Sequence, residues 1–129
     1  MTQGKTVLLV EDDADNQMIY SMILNHHGYT VLQAPDGERG VQMARDHLPD
    51  LILMDLTMPR VDGLQATRML KADSATHGIP VVALTAHGEP EDRQAAHDAG
   101  CVAFLAKPVE PRRVAAEVGR ILGLPSSAG

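Results

Sequence analysis

Leu51-Ile52-Leu53-Met54-Asp55, followed by Leu56-Thr57-Met58-Pro59, is the stretch that decides how the rest of the chain is read. Four apolar residues in succession show no alternation, so the run reads as a strand covered on both faces, the situation of a parallel sheet. It ends abruptly on a carboxylate. Two further runs have the same character, Val7–Val10 and Val81–Leu84, and Val31–Ala34 and Val102–Leu105 are equally short and bounded by turn residues. Between them lie segments of helical spacing. Met18, Ile19, Met22 and Ile23 form a stripe, with Gly28 placed as a C-terminal cap. Asp36 opens a second helix that Pro49 stops, and Asp62 with Gln65 opens a third bearing Leu64, Thr67 and Leu70 on one face. Pro90 and Gly100 bracket a fourth helix, and Pro111 opens a fifth with Val114, Val118 and Ile121 inward. Strand and helix alternate five times, which predicts an α/β domain with a parallel sheet and helices on both faces.

The chain has 129 residues, enough for one domain, and a formal charge of −6, which argues against nucleic acid or an anionic membrane as main partner. No apolar run approaches the ~20 residues that span a bilayer, and Met1–Lys5 is polar, without a signal peptide. Cys101 is the only cysteine, which fits a reducing, cytoplasmic setting. The domain is expected over residues 1–124, with 125–129 as a loose tail. Aromatics are limited to Tyr20, Tyr29 and Phe104, so the core falls to aliphatic residues and methionine; Met18, Met22, Met43, Met54, Met58 and Met69 read mostly as core, and Cys101 as a small buried hydrophobe. The six scattered histidines lack transition-metal spacing and read as surface, His87 being set apart by lying just after Thr85.

In open α/β sheets function sits beyond the carboxyl ends of the strands. Those ends carry Glu11-Asp12-Asp13, then Asp55, Thr85 and Lys107-Pro108, while strand 2 ends in the uncharged Ala34-Pro35 and is expected at an edge. Asp13 reads as the cap of the first helix. Carboxylates about 4 Å apart repel by roughly 1 kcal/mol in water and ~4 at an effective dielectric of 20, so a cluster calls for a cation or a raised pKa. All-oxygen donors suit a hard ion, and Mg²⁺ takes one or two carboxylates, waters and a substrate phosphate. Asp12 and Asp55 can bind it directly and Glu11 through a water. Lys107 can pair with a carboxylate and a phosphoryl oxygen, and Thr85 can donate a hydroxyl. Asp55, alone at its strand end, is the candidate nucleophile for phosphoryl transfer, where catalysis is mainly positioning and charge neutralisation.

Four ordered pieces resemble the receiver domains of two-component response regulators, the CheY-like family: Val7–Asp13, Leu51–Pro59 with Asp62-Gly63, Val81–Ala86, and Phe104–Pro108. The resemblance implies a flavodoxin-like (βα)5 doubly wound sheet of five parallel strands in the order 2-1-3-4-5. It implies Asp55 as phosphoacceptor, Glu11 and Asp12 as the acidic pair for Mg²⁺, and a metal-facing backbone carbonyl at Thr57. Thr85 and Lys107 would grip the phosphoryl oxygens, with the small Ala86 beside them. Phe104 would be the aromatic switch coupled to Thr85, and a cis Lys107–Pro108 peptide is frequent in the family. Thr57 and His87 stand at positions that tune phosphoryl lifetime. The implied donor is a histidine kinase or histidine phosphotransfer protein, the implied output a change in the helix 4–strand 5–helix 5 surface toward a protein target. The chemistry would be self-catalysed phosphotransfer and dephosphorylation, without turnover of external substrates.

Other functions would place their own demands on these positions. An aspartate-nucleophile phosphohydrolase would carry a second aspartate where Thr57 stands, and a flavin module needs a Gly/Ser/Thr phosphate loop where Glu11-Asp12-Asp13 would repel it. A phosphorylation-independent interaction module usually lacks the acceptor, the acidic pair or the lysine, and a receiver cut from a hybrid histidine kinase would share every feature above.

Overall fold

In the computed structural model, which describes residues 4–56, 62–86 and 88–123, the run at 51–55 is the central strand of a five-stranded parallel sheet. The elements follow one another as β1 (Thr6–Val10), α1 (Ala14–His26), β2 (Thr30–Ala34), α2 (Gly37–His47), β3 (Leu51–Asp55), α3 (Gly63–Ala72), β4 (Val81–Thr85), α4 (Pro90–Ala99), β5 (Ala103–Ala106) and α5 (Pro111–Ile121). The strand order is β2-β1-β3-β4-β5. This is the flavodoxin-like doubly wound architecture, with β2 at an edge as its uncharged end suggests. Four connections between parallel strands need helices, and those helices cover both faces.

Each face has its own core because side chains alternate along a strand. Leu8, Val10, Ile52, Met54, Val81 and Ala83 point toward α2, α3 and α4, where they meet Val41, Ala44, Ala66, Leu70 and Ala96. Val7, Leu9, Leu51, Leu53, Val82 and Leu84 point toward α1 and α5, where they meet Tyr20, Leu24, Val114 and Val118. Every residue of β3 and β4 is buried, as their unbroken apolar sequence predicts. No helix among the described residues is long and apolar enough to cross a membrane.

The helix boundaries are set by side-chain caps. Asp13 accepts from the Asn16 N–H at 2.9 Å, Asp36 from Arg39 at 2.8 Å and Asp62 from Gln65 at 2.8 Å, each satisfying an N–H that the first turn leaves unpaired. Pro90 and Pro111 stand in the first turns of α4 and α5. Gly100 caps α4 with φ 112°, a left-handed conformation that costs glycine little. The Lys107–Pro108 peptide is cis.

Three sequence expectations need correction. The inward face of α1 is not the Met18/Ile19/Met22 stripe: these side chains are 57%, 45% and 65% exposed, and Tyr20, Ser21 and Leu24 are buried instead. Periodicity misled because two polar residues on the true inner side find partners. Ser21 Oγ accepts from Gln33 Nε2 at 2.7 Å, and Gln17 Nε2 donates to the Glu11 carbonyl at 2.5 Å. Met69 is likewise exposed, whereas Met54 is core and Met43 packs against it. Finally, β5 is shifted one residue, so that Val102 is 55% exposed and Ala106 pairs with Thr85. Met58 and the proposed tail at 125–129 lie outside the described residues.

Candidate functional site

Strand register brings the site together. Val10 pairs with Met54, Asp55 with Leu84, and Thr85 with Ala106, so the carboxyl ends of β1, β3, β4 and β5 form one level edge. Glu11 leaves β1 there, its N–H bonded to the Ala34 carbonyl at 3.0 Å. Asp55 is the last residue of β3 and Thr85 the last of β4, both nearly fully buried. Lys107 leaves β5, its N–H bonded to the Thr85 carbonyl at 2.7 Å.

The Lys107 ammonium lies between two carboxylates, donating to Glu11 Oε1 at 3.0 Å and to Asp55 Oδ2 at 3.1 Å. Glu11 has no exposed surface, Asp55 is 2% exposed, and the lysine side chain is 17% exposed. Asp12 is exposed at the rim. One carboxylate oxygen from each of Glu11, Asp12 and Asp55 lies within 4.8 Å of the others. The sequence-predicted Glu11, Asp12, Asp55, Thr85 and Lys107 therefore converge on one edge. Phe104 sits farther along β5, half-buried beneath α4. Thr57 and His87 lie outside the described residues.

The electrostatics follow from crowding. Burial, and then the neighbouring Asp55 carboxylate, push the Glu11 pKa up to about 7, although the Lys107 ammonium and the Asp13 N–H pull it down. Burial alone would lower the Lys107 pKa, but the carboxylates of Glu11 and Asp55 outweigh it and raise it. Three acidic groups facing one ammonium leave a deficit of positive charge, and every donor is a hard oxygen. That donor set fits a small divalent cation such as Mg²⁺ and offers nothing to a thiophilic one.

Sequence reading missed two supports of this edge. Gln17 ties the first turns of α1 to the Glu11 backbone. Tyr20 is buried close enough that the charges of Lys107, Glu11 and Asp55 all act on its phenol, whose pKa burial raises. Their common signal, polar atoms on the α1 face that apolar spacing leaves out, is legible only once the inward face is known. Gly63 is a third support: a Cβ there would collide with the Asp55 carbonyl oxygen, so α3 can start this close to the end of β3 only with glycine.

Residues 7–119 match the family of response regulator receiver domains. The polar-differentiation response regulator DivK of Brucella anthropi is 35% identical over 119 residues, covering 92% of this chain and 97% of that protein. Among solved structures, the receiver domain of the sensor histidine kinase PA1611 from Pseudomonas aeruginosa, with a magnesium ion coordinated in its active site cleft, superposes with a TM-score of 0.86 at 36% identity, covering 93% of this chain and 98% of the other. The chemotaxis protein CheY4 of Vibrio cholerae also gives 0.86, at 27% identity, covering 91% and 98%.

Proposed function

The chain belongs to the response regulator receiver domain family, and on that footing we propose that it is a phosphoacceptor switch in which Asp55 takes a phosphoryl group from a phosphohistidine. The observation that carries the reading is the Lys107 ammonium shared between Glu11 and Asp55 at 3.0 and 3.1 Å, with Asp12 within 4.8 Å and Thr85 at the adjoining strand end. The partner is a histidine kinase or a histidine phosphotransfer protein, and the setting is the cytoplasm, where Cys101 stays a free thiol.

An Asp55 carboxylate oxygen attacks phosphorus as the P–N bond to the donor imidazole breaks and its electron pair returns to that ring. Lys107, already on Asp55 Oδ2, follows the transferred oxygens, and the Thr85 hydroxyl donates to another of them. Glu11, Asp12 and Asp55 would hold Mg²⁺, which would supply charge neutralisation to the developing phosphoryl group. Hydrolysis later breaks the P–O bond, releases inorganic phosphate and restores the carboxylate. One carboxylate charge is thereby exchanged for roughly two phosphate charges. Thr85 and Lys107 are drawn toward them, and the face made by α4, β5 and α5 shifts between two states that both pre-exist. No external substrate is turned over.

Incubation with acetyl phosphate and Mg²⁺ tests the proposal by intact mass. One added phosphoryl group in the natural chain and none in Asp55→Asn is the expected result. Steady hydrolysis of a phosphate monoester without a labelled intermediate would point to a phosphohydrolase and sink the reading.

A further inference from the structure

Phe104 is the single phenylalanine of the chain. It is half-buried and packs against the core on the α2–α4 side of the sheet. The guanidinium carbon of Arg93, on α4, stands over its ring 5.0 Å from the centroid, within cation–π range. Arg93 is exposed and makes no ion pair among the described residues, although Glu110 and Arg113 line the same groove.

The surroundings of the ring lead toward the phosphoacceptor. Ala83 pairs with Phe104 and Thr85 with Ala106, and alternation puts all four side chains on one face of the sheet. The two sheet residues beside the ring and Thr85 on this face, Ala83 and Ala106, thus carry only methyl groups. Gly88, after β4, lies against the second of them: an added Cβ there would be 3.2 Å from the Ala106 methyl. A lane of alanine and glycine thus lies between the aromatic ring and Thr85, and Arg93 stands at its outer end.

We propose that Arg93 is a positioning residue for Phe104: its cation–π contact holds the ring at the outer end of this lane and so favours the unphosphorylated arrangement. The inference rests on the phosphoacceptor reading above, and adds what sets the balance between the two states. When Thr85 is drawn toward a phosphoryl group the lane opens, and inward movement of the ring leaves the guanidinium behind. An exposed guanidinium on this half-buried ring favours the outer position by a factor of about two to five, the range of exposed cation–π contacts. By linkage, removing it strengthens binding of any ligand that prefers the inner arrangement, up to that same factor when the outer state dominates.

Beryllofluoride with Mg²⁺, an analogue of the phosphoryl group, is the probe, and calorimetric titration the measurement. Arg93→Gln keeps a good helix former on an exposed site and should bind beryllofluoride about two- to five-fold more tightly than the natural chain. Loss of a positive charge would by itself weaken an anion's binding, so the sign separates positioning from bulk electrostatics. Phe104→Leu keeps an apolar side chain without a ring face, and in that background Arg93→Gln should give no gain in affinity. Unchanged or weaker binding by Arg93→Gln, or the same gain in both backgrounds, would overturn the role of Arg93 alone. A natural chain that fails to bind beryllofluoride would overturn the phosphoacceptor reading along with it.

Discussion

The carboxylate of Glu11 offers the sharpest physical test of the acidic edge. Its pKa is raised from the ordinary 4.5 to about 7 in the folded chain, burial being the chief cause and the Asp55 carboxylate the next. A folded pKa above the unfolded value means that the native state holds the proton more tightly than the unfolded chain. The stabilisation from that proton is complete below pH 4.5 and is lost as pH rises through 7. Each unit of difference is worth about 1.4 kcal/mol, so the metal-free protein should lose about 2–3 kcal/mol between pH 5 and pH 8 from this group. Urea unfolding followed by circular dichroism in the presence of a chelator measures the loss, and Glu11→Gln isolates it because the amide does not titrate. The difference in stability between the natural chain and Glu11→Gln should therefore shift by that amount across the window, against the natural chain at high pH. Saturating Mg²⁺ should flatten the curve, since a cation bound to the carboxylate replaces the proton. A difference that stays constant from pH 5 to 8, or moves in the opposite direction, would refute both the crowding and its cause.

Two further outcomes follow from the same edge. Asp12→Asn removes a rim carboxylate within 4.8 Å of two others; metal-free stability should rise by up to about 1 kcal/mol while Mg²⁺ binds more weakly, and a fall in metal-free stability would contradict the repulsion. Gly63→Ala places a methyl group against the Asp55 carbonyl oxygen; it should cost about 1–3 kcal/mol in unfolding free energy and slow labelling of Asp55, whereas unchanged stability and labelling would show that α3 yields freely.

Much of this was legible without coordinates. The buried runs at 7–10, 51–54 and 81–84 identify β1, β3 and β4 because only a strand covered on both faces needs unbroken apolar sequence. Asp55, Thr85 and Lys107 could be placed together because parallel strands present their carboxyl ends on one side. What spacing could not supply was the choice between two plausible faces of α1. Met18 and Met22 lie outside because Gln17 and Ser21 satisfy their polar atoms inside. The buried state of Glu11 was equally hidden, since it depends on Lys107, ninety-six positions away. The Arg93–Phe104 contact joins two elements whose rotation about their axes no local pattern fixes.

The most direct measurement is chemical location of the phosphoryl group. After incubation with acetyl phosphate and Mg²⁺, borohydride reduces an acyl phosphate to an alcohol that peptide mass spectrometry can place. Reduction at Asp55, absent when Mg²⁺ is withheld, is the expected result. Reduction at another residue, or none at any, would contradict the assignment of Asp55 as the acceptor.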